Sequence, residues 1–511
     1  MNDYNKNTVT KLSIEKNLLK MNNSKRCILI TIDCWRLDRL QIFGNEMKVM
    51  PNMNNLCKKS IIFKNMIANS SNTAPSFYAL FNSKIPVIDG DYTPLPINED
   101  SLPKMLMKHD IKTCGIHSNP HLGRLTHYDY GFNEFFDLFE KQNKKSFKKI
   151  LIGIIYNLFK ILKVENLFVS IKSLIIERIR RLLRMYKNSN NQIKSPYANA
   201  KIITSKAINW LTNNYENPFF LWIHFMDAHS PYFPPNEFIG NITDTFISEK
   251  KKKFLHEWGN NFRPFMKLSK NHNEIYKKLI KSLYDAELNY IDHYIGIFIS
   301  FLKKIKIFED CNLIITADHG EALFEHGNLG HQICLYDELL RVPLIMKLPK
   351  IHSKFNKQLK FNDLVESIDI APTILDFFSI PENKTYRGIS FLPLVNGEYF
   401  DKKKYVFSAL LHNKNKVYSA IRKKDIPYYI MISCRTENWK LIYDEQFNQY
   451  EFYNLLEDPN ELINLYDKNV SELNFIKRLM LKKLREKMEI YNSETNKISR
   501  IISLHKINGR I

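Results

Sequence analysis

The chain has 511 residues, 44% of them hydrophobic and 25% charged, with a formal net charge of +22. That balance is ordinary for a folded protein and excludes a disordered chain, while the length accommodates anything from one large α/β domain to three smaller ones. The positive excess favours contact with a polyanion such as nucleic acid, anionic lipid or an acidic glycan, set against the bland reading of a solvated basic surface.

The N-terminal residues 1–24 are a polar tail without the apolar core of a secretory signal. No run of about 18 apolar residues occurs anywhere, so no spanning helix is expected. Seven cysteines are widely spaced and form no CxxC pair or zinc-like cluster, which implies a reducing compartment. Together these predict a cytoplasmic protein, with peripheral contact at the inner face of the membrane left open.

Short, nearly continuous apolar runs follow at 27–33, 112–118, 219–225, 312–316 and 343–348. Such runs suit strands covered on both faces, as in a mostly parallel sheet. Helical patterns lie between them at 101–109, opened by Ser101 with Pro103 in the first turn, and at 197–214 and 276–305. The alternation predicts an α/β fold with a large mostly parallel central sheet flanked by helices. Residues 141–187 stand apart, with thirteen Lys/Arg against two Glu and Ile, Leu and Phe at near-helical spacing. They read as a basic amphipathic helical insert, lying either on anionic lipid or as a lid over the main domain, the lid being favoured. No nucleic-acid binding is expected, because the basic face lacks interleaved aromatics and a recognisable motif. Beyond about residue 400 shorter strand-like pieces appear at 405–410, 428–434 and 439–444, ahead of a basic helical tail. The divisions expected are the tail 1–24, a main domain 25–400 carrying the insert, a small α+β subdomain 401–470 and a tail 471–511.

Chemistry gathers at the ends of the apolar runs. Asp33 closes the first one, where a parallel sheet collects ligands, although a carboxylate there is commonly a cap or turn former. In TADHGEALFEHGNLGH an apolar strand runs into Asp318 and His319, and His331 comes twelve residues after the latter. Adjacent side chains point to opposite faces of a strand, so Asp318 and His319 share one cation only if the chain turns beyond it, and Gly320 permits that turn. A carboxylate with an imidazole suits Zn²⁺, Mn²⁺ or Mg²⁺, whereas Ca²⁺ seldom recruits the imidazole. Thr73, in a polar turn before an apolar helical pattern, reads either as a helix cap or as a nucleophile activated by a metal, with the helix amino end behind it to hold anionic oxygens. His229 stands just past the strand 219–225 and can donate to a substrate oxygen or protonate a leaving group. His224, inside that strand, reads as structural.

Several of these stretches, in order, resemble the sulfatase-like branch of the alkaline-phosphatase superfamily. ILITIDCWRLDRL resembles its opening strand, and MPNMNNLCKKSIIFKNMIANSSNTAPSFYALFNSKIP the segment through its nucleophile. FFLWIHFMDAHSPYFPP, YDAELNYIDHYIG, TADHGEALFEHGNLGH, LRVPLIMKLP and SIDIAPTILDFFSIP continue the match, and WKLIYD with YEFYNLLEDPNE resembles its C-terminal signature. The resemblance spans roughly residues 25–465 and implies a sulfatase/alkaline-phosphatase-like sandwich. It implies a divalent metal (Zn, Mn, Mg or Ca) on Asp33, Asp318 and His319, with Thr73 as both ligand and nucleophile. His229 and His121 would serve catalysis, and His331 and Asn119 would stand at substrate positions.

Three departures from the family pattern are legible. Thr73-Ala74-Pro75-Ser76-Phe77 replaces the C/S-x-P-x-R motif, so no formylglycine is expected and the arginine is missing. Cys34 replaces the second opening carboxylate, which argues for a different metal or fewer ligands. Asn119 replaces the sulfate-gripping lysine, with His121 kept. A threonine nucleophile resembles the phosphodiesterases and phosphoethanolamine transferases of the superfamily. The leading expectation is a metal-dependent hydrolase of sulfate or phosphate esters carried on a glycan, a lipid or a small molecule. Behind it stand a phosphotransferase acting on a glycan or lipid, and a catalytically silent binding protein on the same fold.

Overall fold

The computed structural model describes residues 25–90, 94–139, 197–260, 270–331, 334–349, 359–412, 429–468 and 470–508. The tail 1–24 and the insert 141–187 lie outside them. The strands, in chain order, are β1 (Arg26–Ile32), β2 (Ile61–Ile67), β3 (Lys112–His117), β4 (Glu134–Asp137), β5 (Phe219–Phe225), β6 (Asn312–Ala317), the two-residue pair β7 (Ala322–Leu323) and β8 (Leu329–Gly330), β9 (Arg341–Lys347), β10 (Leu359–Glu366), β11 (Val406–His412), β12 (Tyr429–Arg435), β13 (Trp439–Asp444) and β14 (Gln449–Asn454).

Eight strands form one sheet in the order β10-β2-β9-β6-β1-β5-β3-β4. β9 runs antiparallel to both its neighbours, and the remaining pairs are parallel. The central strands carry the apolar runs because both faces are covered: β5 and β6 are buried at every residue. At one edge, β10 alternates exposed and half-buried residues before it turns inward, as an edge strand does. Helices Thr73–Asn82, Ala200–Thr212 and Lys270–Lys304 cover the faces. The last of these buries Ile280, Leu283, Tyr284, Leu288, Ile291, Ile295, Phe298 and Leu302, a stripe of helical spacing that explains its length. No described helix is long and apolar enough to cross a membrane.

β11 to β14 form a second, antiparallel meander against which the helix Ser471–Asn508 packs through Met480 and Leu484. A buried ion-pair network ties this sheet to the larger one. Asp337, at the start of the short helix before β9, receives Arg435 at 2.9 Å and Lys440 at 2.8 Å, and Lys440 also meets Glu461 at 2.9 Å. Lys403 likewise sits 2.6 Å from both Glu366 and Asp369.

Candidate functional site

The carboxyl ends of β6, β1, β5 and β3, four neighbours in the sheet, deliver most of the candidate residues to one place. Register does the first part of this. Ile32 at the end of β1 pairs with Ala317 on one side and Phe225 on the other, so the next residues, Asp33 and Asp318, emerge side by side. β5 leads on to His229, and β3 to Asn119 and His121.

Asp33, Asp318 and His319 are fully buried. The His319 imidazole lies 3.5 Å from Asp318 Oδ2 and 4.0 Å from Asp33 Oδ1 through Nε2. Its Nδ1 sits 2.8 Å from the Gly320 carbonyl, which can only accept, so Nδ1 carries the proton and Nε2 presents its lone pair to the carboxylates. Asp318 Oδ1 accepts from the His319 N–H, while Asp318 Oδ2 is buried without a hydrogen-bond partner. Gly320 serves packing rather than a left-handed turn. A Cβ there would collide with the Glu338 carbonyl oxygen, and the Gly320 N–H is bonded to Leu339 O at 2.7 Å.

Thr73 is the first residue of the helix Thr73–Asn82, and the capping position falls on Asn72, whose side chain makes no cap bond. The Thr73 hydroxyl turns away from the helix to Asp33 Oδ2 at 3.3 Å and His319 Nε2 at 3.3 Å. The four residues expected around a cation therefore converge. Phe77, in place of the family's arginine, is buried one turn later against Trp222 and His224.

Burial alone would raise the Asp33 carboxyl, but the hydrogen bond from His224 and the neighbouring His229 imidazole hold it well below the usual carboxylate range. Burial and the Asp33 charge together push Asp318 up to about 7. Two buried carboxylates and an imidazole lone pair facing one another repel unless a cation lies among them, and their ligand atoms all lie within 4.8 Å of one another. The donor set thus fits a divalent ion.

The remaining candidates surround this centre. Asn119 donates to Asp33 Oδ2 at 3.2 Å and accepts from the His121 N–H at 2.8 Å, so both ends of its amide are engaged inside the site. His121 is exposed at the rim, and the ring of His229 is half-buried. His229 Nδ1 donates to Ser230 O at 2.6 Å, which leaves Nε2 available, and its ring meets His331 edge-on at 5.0 Å. The His331 ring lies 4.5 Å from that of His319, tilted by 38°.

Several participants were not singled out from sequence. Glu321 is fully buried and takes His331 Nδ1 at 2.7 Å and the Tyr232 hydroxyl at 2.8 Å, an arrangement that fixes the orientation of His331. The only local signal was an acid directly after His319-Gly320. Cys34, noted only as a departure, has positive φ and places its Sγ 2.9 Å from Asp33 Oδ1 and 3.5 Å from His331 Nδ1. The Tyr284 hydroxyl holds its carbonyl at 2.6 Å. His224, read from the sequence as structural, brings Nε2 within 3.4 Å of Asp33 Oδ2 while its Nδ1 meets Thr31 Oγ1 at 2.9 Å.

A family model described as Sulfatase matches residues 25–380, and one described as N-sulphoglucosamine sulphohydrolase, C-terminal, matches residues 324–490. An arylsulfatase of Clostridium perfringens is 25% identical over 289 residues, 55% of this chain and 56% of the relative. Arylsulfatase K of Homo sapiens is 27% identical over 292 residues, 51% of each. The chain spans about half the length of the curated relatives it matches. Among solved structures, one in complex with its substrate D-glucosamine-2-N,6-O-disulfate superposes with a TM-score of 0.66 at 18% identity, covering 92% of this chain and 98% of the other. The phosphonate monoester hydrolase of Agrobacterium radiobacter gives 0.64 at 16% identity, covering 91% and 96%. These two likenesses carry the fold alone.

Proposed function

The chain belongs to the sulfatase family, and from that premise we propose that it is a metal-dependent hydrolase of sulfate or phosphate esters in which Thr73 is the nucleophile. One observation carries the reading: the Thr73 hydroxyl stands 3.3 Å from both a carboxylate oxygen of Asp33 and the unprotonated nitrogen of His319. A helix cap would have turned that hydroxyl back to its own helix.

Asp33, Asp318 and His319 would hold the cation together with Thr73. When bound, it supplies positive charge that lowers the pKa of the Thr73 hydroxyl and polarises the ester oxygens. Thr73 gives up its hydroxyl proton to solvent as its Oγ attacks the sulfur or phosphorus, and the bond to the leaving oxygen breaks. His229 and His121, at the open side of the site, carry a proton to that oxygen. The positive end of the helix Thr73–Asn82 faces the same oxygens. Water then displaces Thr73 from the esterified intermediate. A threonine cannot be converted to formylglycine, and this route needs none. With Phe77 and Asn119 where the family pattern has arginine and lysine, the histidines His121, His229 and His331 are left as the side chains that meet the anion. The disulfated glucosamine bound by the similar solved structure supports a sulfated sugar as the substrate class, and the phosphonate monoester hydrolase neighbour supports phosphorus esters as the alternative.

The test uses the full chain with added divalent ion and three model substrates: an aryl sulfate, an aryl phosphate and an aryl phosphodiester. Turnover of at least one is expected, with a sulfuryl or phosphoryl group on the Thr73 peptide after acid quench. Thr73→Ala that retained full turnover would overturn the proposal.

A further inference from the structure

The atoms that face the centre include a sulfur that the expected oxygen and nitrogen donors do not account for. Cys34, His319 and His331 form a second group whose ligand atoms lie within 4.8 Å of one another, and it shares His319 with the Asp33, Asp318 and His319 group. His319 has a single lone pair to offer, because Nδ1 is committed to the Gly320 carbonyl. That lone pair lies 4.0 Å from Asp33 Oδ1 and 3.5 Å from Asp318 Oδ2, and the Cys34 sulfur lies 2.9 Å from the same Asp33 oxygen, at the edge of one shared cation site. We infer that Cys34 Sγ is a ligand of this cation, and that the resident ion is a thiolate-accepting transition-series ion, Zn²⁺ above all, rather than Ca²⁺. This narrows the proposed function and rests on its cation site.

Three features support the inference independently. The first is the unpartnered Asp318 Oδ2, fully buried and 3.5 Å from the His319 lone pair, two acceptors that face each other with no donor between them. The second is donor arithmetic. The protein oxygens available are the two of Asp33, the two of Asp318 and Thr73 Oγ1. Five oxygens fall short of the roughly six to eight that Ca²⁺ gathers, so a Ca²⁺ shell would need water to complete it. Carboxylate, imidazole and thiolate together are what Zn²⁺ accepts at low coordination number. The third is the support behind Cys34. Its backbone is held in the left-handed region at φ 60°, with the carbonyl fixed by Tyr284 and the following N–H of Arg36 bonded to the same hydroxyl at 3.1 Å. That posture aims the sulfur at Asp33 and His331. As the sulfur–metal bond forms, the thiol proton leaves to solvent, and no oxidation state changes.

Cobalt(II) replaces zinc and reports its ligands by colour. The full chain is stripped of metal and titrated with Co²⁺. The expected result is one equivalent bound, with visible ligand-field bands and a sulfur-to-cobalt charge-transfer band in the near ultraviolet. In Cys34→Ser the charge-transfer band disappears while ligand-field bands remain, and Zn²⁺ affinity falls by at least about tenfold. Cys34→Asp, tolerated by the same left-handed backbone, narrows the preference for Zn²⁺ over Ca²⁺. Cobalt bound without the charge-transfer band, a band that survives in Cys34→Ser, or displacement of Zn²⁺ by equimolar Ca²⁺ would each overturn sulfur ligation and leave the cation site standing. Absence of any stoichiometric Co²⁺ or Zn²⁺ binding would overturn the site itself.

Discussion

Two buried clusters of carboxylates in this protein are built on opposite principles. Where the second sheet meets the first, Asp337 and Glu461 are neutralised from within by Arg435 and Lys440, at 2.8 to 2.9 Å. At the ends of β1 and β6, Asp33 and Asp318 are fully buried, yet among the described residues no lysine or arginine pairs with them, and the imidazole beside them turns its lone pair inward. A chain that neutralises one cluster with its own side chains and leaves the other to imidazoles and an alcohol separates structure from chemistry. The first cluster holds two sheets together, and the second offers the donor set that a divalent ion would take.

Breaking the second cluster should cost activity and little stability. Asp33→Asn removes a proposed ligand and the acceptor for Thr73, and is expected to lower kcat/KM toward the best model ester by about 10³-fold or more, with unfolding of the metal-free protein essentially unchanged. Steady-state kinetics and urea denaturation of the same preparation check both halves. Breaking the first cluster should do the reverse. Lys440→Met leaves two buried carboxylates with one cation and is expected to destabilise the fold by about 3 to 5 kcal/mol, measured by denaturant unfolding, while the folded fraction still binds metal. Adding Zn²⁺ at about 100 times its dissociation constant should stabilise the wild type by about 2.7 kcal/mol, and Asp318→Asn should abolish that gain. The smallest effect is on acid stability. Burial alone would raise the Asp337 carboxyl, but Arg435 and Lys440 hold it well below the usual carboxylate range. The unfolded chain therefore binds a proton at about pH 4 that the native state does not, so this contribution is full above that pH and drains away as pH falls. Asp337→Asn, less stable at neutral pH, should show the shallower loss between about pH 5 and 3.

The strands buried on both faces were legible as unbroken apolar runs, and the five predicted ones coincide with β1, β3, β5, β6 and β9. Those not singled out carry polar residues: Lys64 and Asn65 interrupt β2, β10 alternates as an edge strand, and β4 has four residues. Asp33, Asp318 and His319 were legible because each stands where a strand must end. The approach of Thr73 was legible only through the family resemblance, since the same local sequence by itself makes an ordinary cap, and the packing of β2 and its following helix brings the hydroxyl to Asp33. Glu321 was hidden for a similar reason, because its partners His331 and Tyr232 reach it from the turn of β7 and β8 and from beyond β5. Cys34 was visible only as a missing carboxylate, and its proximity to His331, 297 residues away, is a tertiary fact.

Elemental analysis of the purified full chain, after exhaustive buffer exchange without chelator, tests the contrast between the clusters most directly. Close to one divalent ion per chain is expected in the wild type and in the folded fraction of Lys440→Met, and none in a double variant Asp33→Asn, Asp318→Asn. A metal-free wild type that still cleaves esters, or a double variant that keeps its ion, would contradict the account.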